Sequence, residues 1–168
     1  VAPYTTNTYG GGIKFGYPLS ETDAINFGLT AENVTLGLFP TSSTSYLNFA
    51  ASFGTKYSYG SGTVGWARDR RDSGIMASRG TLTRVGVELA EGDLQYYRLT
   101  ISEQFYYPVS RTVTLALSGD AGYANGLSGK PVPFFKNYYA GGPGSVRGYK
   151  AYSLGDQDFQ GNSLGGTK

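Results

Sequence analysis

Residues 81–90 read Thr-Leu-Thr-Arg-Val-Gly-Val-Glu-Leu-Ala, and apolar and polar side chains alternate along this stretch. Successive side chains of an extended chain point to opposite faces of a sheet, so this alternation predicts a β-strand with two unlike faces. The apolar face carries Thr83, Val85, Val87 and Leu89, and the polar face carries Arg84, Gly86 and Glu88.

The same alternation recurs along most of the chain, whereas a helical spacing of apolar residues is nearly absent. Further strands are predicted over residues 8–17, 24–32, 59–68, 96–107 and 112–123. Six strands of about 9–12 residues are long, because ordinary strands average about 5–6 residues. A tilted strand needs about 9–11 residues to cross a bilayer. The sequence therefore predicts an all-β protein with unusually long antiparallel strands.

Alternation alone does not distinguish a soluble sandwich from an outer-membrane barrel, because both have strands with unlike faces. Strand length favours the barrel, and so do aromatic residues near the strand ends, as in the interfacial girdles of barrels. These aromatic residues are Tyr9, Tyr17, Tyr97, Tyr107 and Tyr123. The predicted polar face, which would line the lumen, carries Lys14, Glu32, Arg84, Glu88, Arg98 and Asp120.

The predicted links alternate in length, which also favours a barrel. Links 18–23, 69–80 and 108–111 fall on one side, and the long link 33–58 and the tail from residue 124 fall on the other. Within the long link, Tyr46, Phe49, Ala50 and Phe53 have helical spacing and predict a short helix. Glu103 is a charge on the apolar face, where we expect a bulge or a position near an interface.

Composition excludes several classes of site. The 168 residues contain no Cys and no His, so disulfides, Cys-built zinc sites and Ser-His-Asp triads are excluded. The longest uninterrupted apolar run is three residues (115–117), which excludes a transmembrane helix. A net charge of +2 gives no basic excess for nucleic acid. We expect no catalytic residue, no metal and no cofactor.

The tail combines large aromatic residues with glycines. Phe134, Phe135, Tyr138, Tyr139 and Tyr149 should pack against something, and the lumen of a barrel is the available container. Arg147 follows a glycine-rich turn, and an arginine held inside a lumen needs a carboxylate partner. A surface arginine without a role is the alternative. A phosphate-binding loop is disfavoured, because Gly129-Lys130 lacks the upstream glycine and the following Ser or Thr.

The stretch Tyr139-Ala-Gly-Gly-Pro-Gly-Ser-Val-Arg-Gly-Tyr149 resembles the VRGF/VRGY signature of the BamA superfamily of barrel-assembly and two-partner translocation proteins. Residues 66–72 with 78–80 are similar to a family segment ending in Pro-Thr-x-Gly, although Ala77-Ser78 replaces Pro-Thr here. Residues 126–135 resemble the approach to the signature. The resemblance covers residues 59–155, and the long link 33–58 favours the superfamily's namesake over its relatives.

The resemblance implies a 16-stranded barrel in the bacterial (Gram-negative) outer membrane that folds and inserts unfolded outer-membrane proteins delivered by periplasmic POTRA domains. Residues 1–168 would then be an internal fragment holding about six of those strands, without the POTRA domains. Lipoprotein subunits of the Bam complex would bind through those missing domains. The lipid bilayer is the other implied partner.

The resemblance also assigns roles within the tail. Residues 124–165 would form the signature loop, which is extracellular in topology but folds back into the lumen. Arg147 would contact carboxylates on later strands, outside this chain. Gly148 would give the turn its backbone freedom, and Tyr149 would pack against the wall. The remaining residues of the predicted site are Gly141, Gly142 and Gly144, which shape the hairpin, and Val146 of the signature itself.

Three other classes of protein stay open on the sequence. A complete eight-stranded barrel has about this length, but it would need two more strands from residues 124–168. A soluble all-β binding module, like a lectin or an adhesin, would shield its apolar face with protein. An outer-membrane lipase or protease would have to work without histidine.

Overall fold

The computed structural model describes residues 4–158, 161 and 163–168. Six antiparallel strands form one sheet in which each strand pairs with the next along the chain. The strands are β1 (Tyr4–Pro18), β2 (Asp23–Leu38), β3 (Lys56–Asp69), β4 (Gly80–Gly92), β5 (Tyr96–Pro108) and β6 (Thr114–Gly126). A helix, α1 (Thr44–Phe53), lies between β2 and β3, and a 3₁₀ turn (Phe134–Lys136) lies in the segment after β6, which we call the tail (residues 127–168).

All six predicted strands are confirmed, and each is longer than predicted. The largest difference is in β2, where residues 33–38 belong to the strand and not to the loop. Pairing continues there because Val34, Leu36 and Leu38 turn apolar side chains to the face opposite Phe27 and Leu29. The apolar residues change from one face to the other along β2. A prediction that follows apolar residues on a single face therefore ends the strand at residue 32. β6 begins two residues later than predicted.

One face of the sheet, which we call the bare face, is apolar and exposed. Its register rows run across the strands, for example from Phe15 through Phe27 and Val64 to Val87 and Leu99. The exposed members of this face include Ile13 (55%), Phe15 (63%), Leu29 (62%), Val64 (51%), Leu89 (55%), Ile101 (52%) and Leu117 (56%). This continuous apolar surface has the character that a barrel turns to lipid.

The opposite face, which we call the covered face, carries the predicted charges and is partly overlaid by the chain itself. One register row runs through all six strands from Lys14 to Glu88, Arg98 and Ala124. Towards the end that bears α1 and the tail, the face becomes apolar and buried. The buried cluster comprises Val34, Leu36, Tyr46, Tyr57, Tyr59, Ala90, Leu94, Tyr96 and Phe134.

The predicted distribution of links is confirmed, because the meander places alternate links at opposite ends of the sheet. The helix predicted from Tyr46, Phe49, Ala50 and Phe53 is present and packs its Tyr46 side chain against the tail. The side chain of Ser43 accepts a hydrogen bond from the amide of Ser45 at its start. None of the helices in the described residues is long and apolar enough to cross a membrane.

Glu103 lies on the bare face in unbroken register, opposite Thr83 and Gly119. The expectation of a bulge at this position is therefore wrong. Its immediate neighbours are small, which leaves room around the carboxylate. The bare face thus carries a small polar patch at Thr83 and Glu103, on β4 and β5.

The β3–β4 link is held by the carboxylate of Asp72. This group accepts hydrogen bonds from the amides of Ser78 (2.8 Å) and Arg79 (3.2 Å) and from the hydroxyl of Ser78. The hydrogen bonds from Ser78, first of all from its hydroxyl, lower the pKa of Asp72 to about 2. The charged form therefore stabilises the folded link above the ordinary carboxyl pKa of about 4.

The exposed bare face predicts that the isolated 168-residue chain requires detergent. The sheet would leave the outer edges of β1 and β6 unpaired, and such edges associate with other chains. In buffer without detergent we expect oligomers or aggregates by multi-angle light scattering. A clean 17.9 kDa monomer under those conditions would contradict the assignment of the bare face to lipid.

Acidification should loosen the β3–β4 link. Because the folded pKa lies below the unfolded value, this stabilisation is complete above pH about 4 and is lost as the pH falls towards about 2. At pH 6, Asp72→Asn should exchange the amide hydrogens of Ser78 and Arg79 faster than the wild type does. The wild type should lose the protection of these two amides only in acid. Equal exchange in Asp72→Asn and wild type at pH 6 would refute this role.

Candidate functional site

The tail begins by inserting Phe134 into an aromatic cluster above the covered face. The Phe134 ring stacks on Tyr46 of α1 with a centroid distance of 4.0 Å. Tyr4 of β1 meets the Phe134 ring edge-on at 4.9 Å, and Phe49 does so at 5.5 Å. Edge-to-face and offset contacts of this kind stabilise by about 0.5–1.5 kcal/mol beyond the burial of area. The cluster joins the tail to α1 and to β1.

Lys136 fixes the next point of the tail to the wall. Its ammonium lies 3.6 Å from a carboxylate oxygen of Glu32 and 5.4 Å from the ring centre of Tyr59. The Tyr59 hydroxyl donates a hydrogen bond to the same Glu32 carboxylate. Lys136, Glu32 and Tyr59 thus provide one another's charge and hydrogen-bond partners on the covered face.

Tyr138 of the tail packs directly on the sheet at Gly122. A Cβ atom at Gly122 would lie 2.6 Å from Cζ of Tyr138, so the ring can lie there only because residue 122 is glycine. The Tyr138 hydroxyl donates to the carbonyl of Leu99 (2.9 Å), and the Arg98 guanidinium lies 4.7 Å from the ring centre. Arg98 also bonds Glu88 at 3.3 Å. We call Gly122, Tyr138 and Arg98 the tyrosine clamp.

The end of the tail returns to the same region. Tyr138 and Gly166 form an antiparallel bridge with bonds of 2.8 and 2.9 Å. The amide of Ala124 on β6 donates to the carbonyl of Thr167 (2.7 Å), and the Tyr46 hydroxyl donates to that of Ser163 (2.6 Å). The tail is therefore a closed loop whose two ends are held beside β6 and α1.

Between these fixed ends the predicted glycines form a tight hairpin. Gly141 and Gly142 have φ values of 110° and 95°, which favour glycine over other residues. A Cβ atom at Gly141 would lie 2.5 Å from the carbonyl oxygen of Lys150. Ala140 bridges Leu154, and the amide of Gly142 donates to the carbonyl of Val146 (3.1 Å).

The hydroxyl of Tyr139 lies inside the tail and donates to the carbonyl of Phe134 (2.9 Å). Burial is the main cause that raises the pKa of Tyr139, and burial likewise raises that of Tyr46. Both phenols therefore stay neutral over the physiological range. Both hydroxyls donate hydrogen bonds to carbonyl groups of the tail.

The signature residues themselves lie at the exposed tip. Gly148 has a φ of 90°, and a Cβ atom at Gly144 would meet no atom within 4 Å. The roles predicted for these two glycines stay predictions. Val146 is 40% exposed and Tyr149 is 57% exposed. Arg147 is exposed and makes no ion pair with the described residues. Its carboxylate partner stays a prediction, as does the packing of Tyr149 against the wall.

Carboxylates on the covered face are largely engaged with other groups. Glu32 binds Lys136 and Tyr59, and Glu88 binds Arg98 and Tyr96. Asp120 borders the same cavity as Val146, without an ion pair to Arg147. The alternation predicts Arg98 on the polar face, but it does not predict the contact of Arg98 with Tyr138. That contact depends on Gly122, which lies under the Tyr138 ring, and no local sequence signal links these two residues.

The tyrosine clamp predicts a strong effect of a single methyl group at residue 122. Gly122→Ala should displace the Tyr138 ring and destabilise the folded tail by about 1–3 kcal/mol, the usual cost of overpacking. The measurement is urea unfolding of the full-length protein in vesicles, with amide exchange of residues 134–140. Gly119→Ala on the same strand is the matched control, because its Cβ would meet no atom within 4 Å. Equal stability of the two variants would refute the clamp.

Comparison with known proteins identifies the family. The whole chain, residues 1–168, matches the Omp85 superfamily domain. Outer membrane protein assembly factor BamA of Neisseria meningitidis is 40% identical over 183 residues, which cover 100% of this chain and 23% of that protein. The sorting and assembly machinery component 50 homolog of Mus musculus is 34% identical over 101 residues, covering 58% of this chain and 21% of that protein.

The fold is also found in a solved structure. The crystal structure of BamA from Haemophilus ducreyi lacking POTRA domains 1–3 superimposes with a TM-score of 0.81 at 23% identity, covering 92% of this chain and 32% of that one. The described sheet thus has the fold of part of a barrel wall. The chain spans about a quarter of its curated relatives, and on this match over its whole length it belongs to the Omp85 superfamily.

Proposed function

We propose that this chain is a section of the barrel of an outer-membrane factor that folds and inserts β-barrel proteins. The observation that carries the proposal is the attachment of residues 134–140 of the tail to the covered face. Phe134, Lys136 and Tyr138 make this attachment. Such a loop stiffens the wall from inside while the bare face meets lipid. The whole-chain identity of 40% to a protein named as an assembly factor supports it.

In this proposal the tail is the signature loop, extracellular in topology and folded into the lumen. The closed ends and the glycine hairpin hold Arg147 at a defined place above the sheet. Arg147 then pairs with a carboxylate on strands outside this chain, because Glu32 and Glu88 are already engaged and Asp120, which borders the same cavity as Val146, makes no ion pair with Arg147. An unpaired charge in an enclosed lumen costs free energy. The pair between Arg147 and a wall carboxylate would therefore hold the tail against the barrel wall.

The partners follow from the same assignment. Unfolded outer-membrane proteins are the substrates, the lipid bilayer contacts the bare face, and lipoprotein subunits bind through POTRA domains outside this chain. The bacterial outer membrane is the proposed location, with the Neisseria relative as support. No step requires a catalytic residue, so we propose assembly by structural guidance and not by an enzymatic reaction.

A self-contained eight-stranded barrel is disfavoured by the described residues. The tail packs as a loop on the covered face and contributes isolated bridges instead of two further strands. A soluble binding module would cover its apolar face with protein. The described part of the chain instead covers the charged face and leaves the apolar one exposed.

Arg147→Ala in the full-length protein tests the proposal. Loss of a partner from a buried pair costs about 3–5 kcal/mol, so we expect lower barrel stability and slower insertion of a substrate barrel into proteoliposomes. Arg147→Lys should restore only part of both, because an ammonium lacks the two-pronged geometry of the guanidinium.

Arg111→Ala provides the matched control for this experiment. Arg111 lies in the exposed β5–β6 link and makes no ion pair with the described residues. Its removal should leave stability and assembly rate unchanged. If Arg147→Ala behaves like Arg111→Ala in both measurements, the lumen-anchor role is wrong.

A further inference from the structure

The returning arm of the glycine hairpin, residues 150–154, contains a tyrosine with a strained backbone. Tyr152 has a φ of 58°, in the left-handed region that bulky side chains rarely adopt. Glycine, and after it asparagine, are the residues that enter this region most readily. The other non-glycine residue with a positive φ in the described part of the chain is Ser128, at 53°. A strained position of this kind indicates a compensating contact of the side chain.

The hairpin itself sets the backbone of residue 152. The amide of Tyr152 donates to the carbonyl of Gly141 on the opposite arm (3.4 Å). The amide and the hydroxyl of Ser153 both donate to the carbonyl of Lys150 (3.2 and 2.7 Å). A Cβ atom at Gly141 would lie 2.5 Å from that carbonyl oxygen, so the two arms pack closely. The left-handed conformation therefore belongs to the turn and not to the tyrosine side chain.

The contacts of the Tyr152 ring with the described residues offset only part of this strain. The ring meets Tyr139 edge-on with a centroid distance of 5.9 Å, and 65% of Tyr152 is exposed. An edge-on aromatic pair favours the folded form by about two- to thirteenfold. A left-handed backbone disfavours an ordinary residue by about five- to thirtyfold. At the middle of both ranges, the strain exceeds the contact with Tyr139.

The exposed ring belongs to a hairpin tip that combines apolar side chains with unpaired cations. Tyr149 is 57% exposed and Val146 is 40% exposed. Arg147 and Lys150 are exposed and make no ion pair with the described residues. A surface of this composition fits a barrel wall that presents apolar side chains beside carboxylates.

The relatives are long enough to supply such a wall. The 168 residues cover 23% of the Neisseria protein and 32% of the matched BamA structure. In the proposed function the tail lies in the lumen of a complete barrel, so strands outside this chain surround the hairpin tip. A further segment of the same protein is therefore the occupant that this surface fits.

We propose that the Tyr152 ring packs against barrel-wall strands outside this chain, and that this contact positions Arg147. The inference rests on the proposed function, in which the tail folds into the lumen. Tyr152 is a positioning residue, because it acts on Arg147 through the backbone of the hairpin. The wall provides an apolar patch for the ring and an acceptor for its hydroxyl.

Hydroxyl-radical footprinting of the full-length protein in vesicles tests the contact directly. The Tyr152 ring should be protected from oxidation like the ring of Tyr46, which is 1% exposed. Oxidation of Tyr152 at the rate of the unfolded protein would overturn the proposal. Protection that appears only after an unfolded substrate barrel is added would assign the ring to the substrate and would overturn it as well.

Tyr152→Asn separates the ring from the strain. Asparagine tolerates a left-handed backbone, so relief of strain alone would raise the protection of the Leu154 amide, which donates to the carbonyl of Ala140 (3.1 Å). Loss of a buried ring should instead lower this protection by about tenfold in the full-length protein. Tyr152→Phe should keep most of it, because the ring is retained. Equal or higher protection in Tyr152→Asn would contradict the wall contact.

Ser128→Asn is the matched control for strain. Ser128 has a similar φ and is exposed. Its replacement should raise the protection of the Lys130 amide, which donates to the carbonyl of Leu127 (3.0 Å), by about two- to fivefold. If both asparagine variants raise protection alike, relief of strain explains both and the wall contact is wrong.

Insertion of a substrate barrel is measured on the same samples. Failure of the wall contact would appear as an accessible Tyr152 ring in a wild type that inserts the substrate. Failure of the proposed assembly function would appear as absent insertion in the wild type, whatever the accessibility of Tyr152. The two outcomes are therefore distinguishable.

Discussion

The structure depends on keeping two unlike faces of one long antiparallel sheet in register. A slip of one residue between neighbouring strands would turn every side chain to the opposite face. In this chain such a slip would move Phe27 and Val64 to the covered face and Glu88 to the bare face. A charged side chain facing lipid costs free energy, so a slipped register is penalised. The difference between the two faces therefore fixes the register of the strands.

The covered face then requires a partner, and the chain supplies part of it. Phe134 meets α1, Lys136 meets Glu32, and Tyr138 lies on Gly122. These contacts are spread across β1 to β6, so the tail links strands that would otherwise interact only with their neighbours. Arg147 lies at the exposed tip of this fixed loop, and the proposed function gives it a partner on the remaining wall.

The strands and α1 could be predicted because their signals are local. Alternation over 81–90 and helical spacing from Tyr46 to Phe53 both depend on residues a few positions apart. The alternation did not predict residues 33–38 of β2. Val34 and Leu36 place apolar side chains on the covered face there, in the cluster that also contains Phe134 of the tail. The tyrosine clamp could not be predicted, since Gly122 and Tyr138 meet only through tertiary packing.

Motif resemblance predicted the glycines of the hairpin but not the contacts that hold it. Gly141, Gly142 and Gly148 have the positive φ values that a tight turn needs. The residues that anchor the hairpin, Lys136 and Tyr138, lie before the signature. In this family member residues 146–149 of the signature are thus the exposed part of a loop whose fixed part lies upstream.

The orientation of the sheet is tested most directly by two neighbouring residues of β3. Thr63 lies on the covered face and Val64 on the bare face. A nitroxide at each position, in the full-length protein in vesicles, reports contact with oxygen in lipid or with a water-soluble nickel complex. The account predicts that a label at Val64 is relaxed by oxygen and a label at Thr63 by nickel. The same response at both positions, or the reverse, would contradict it.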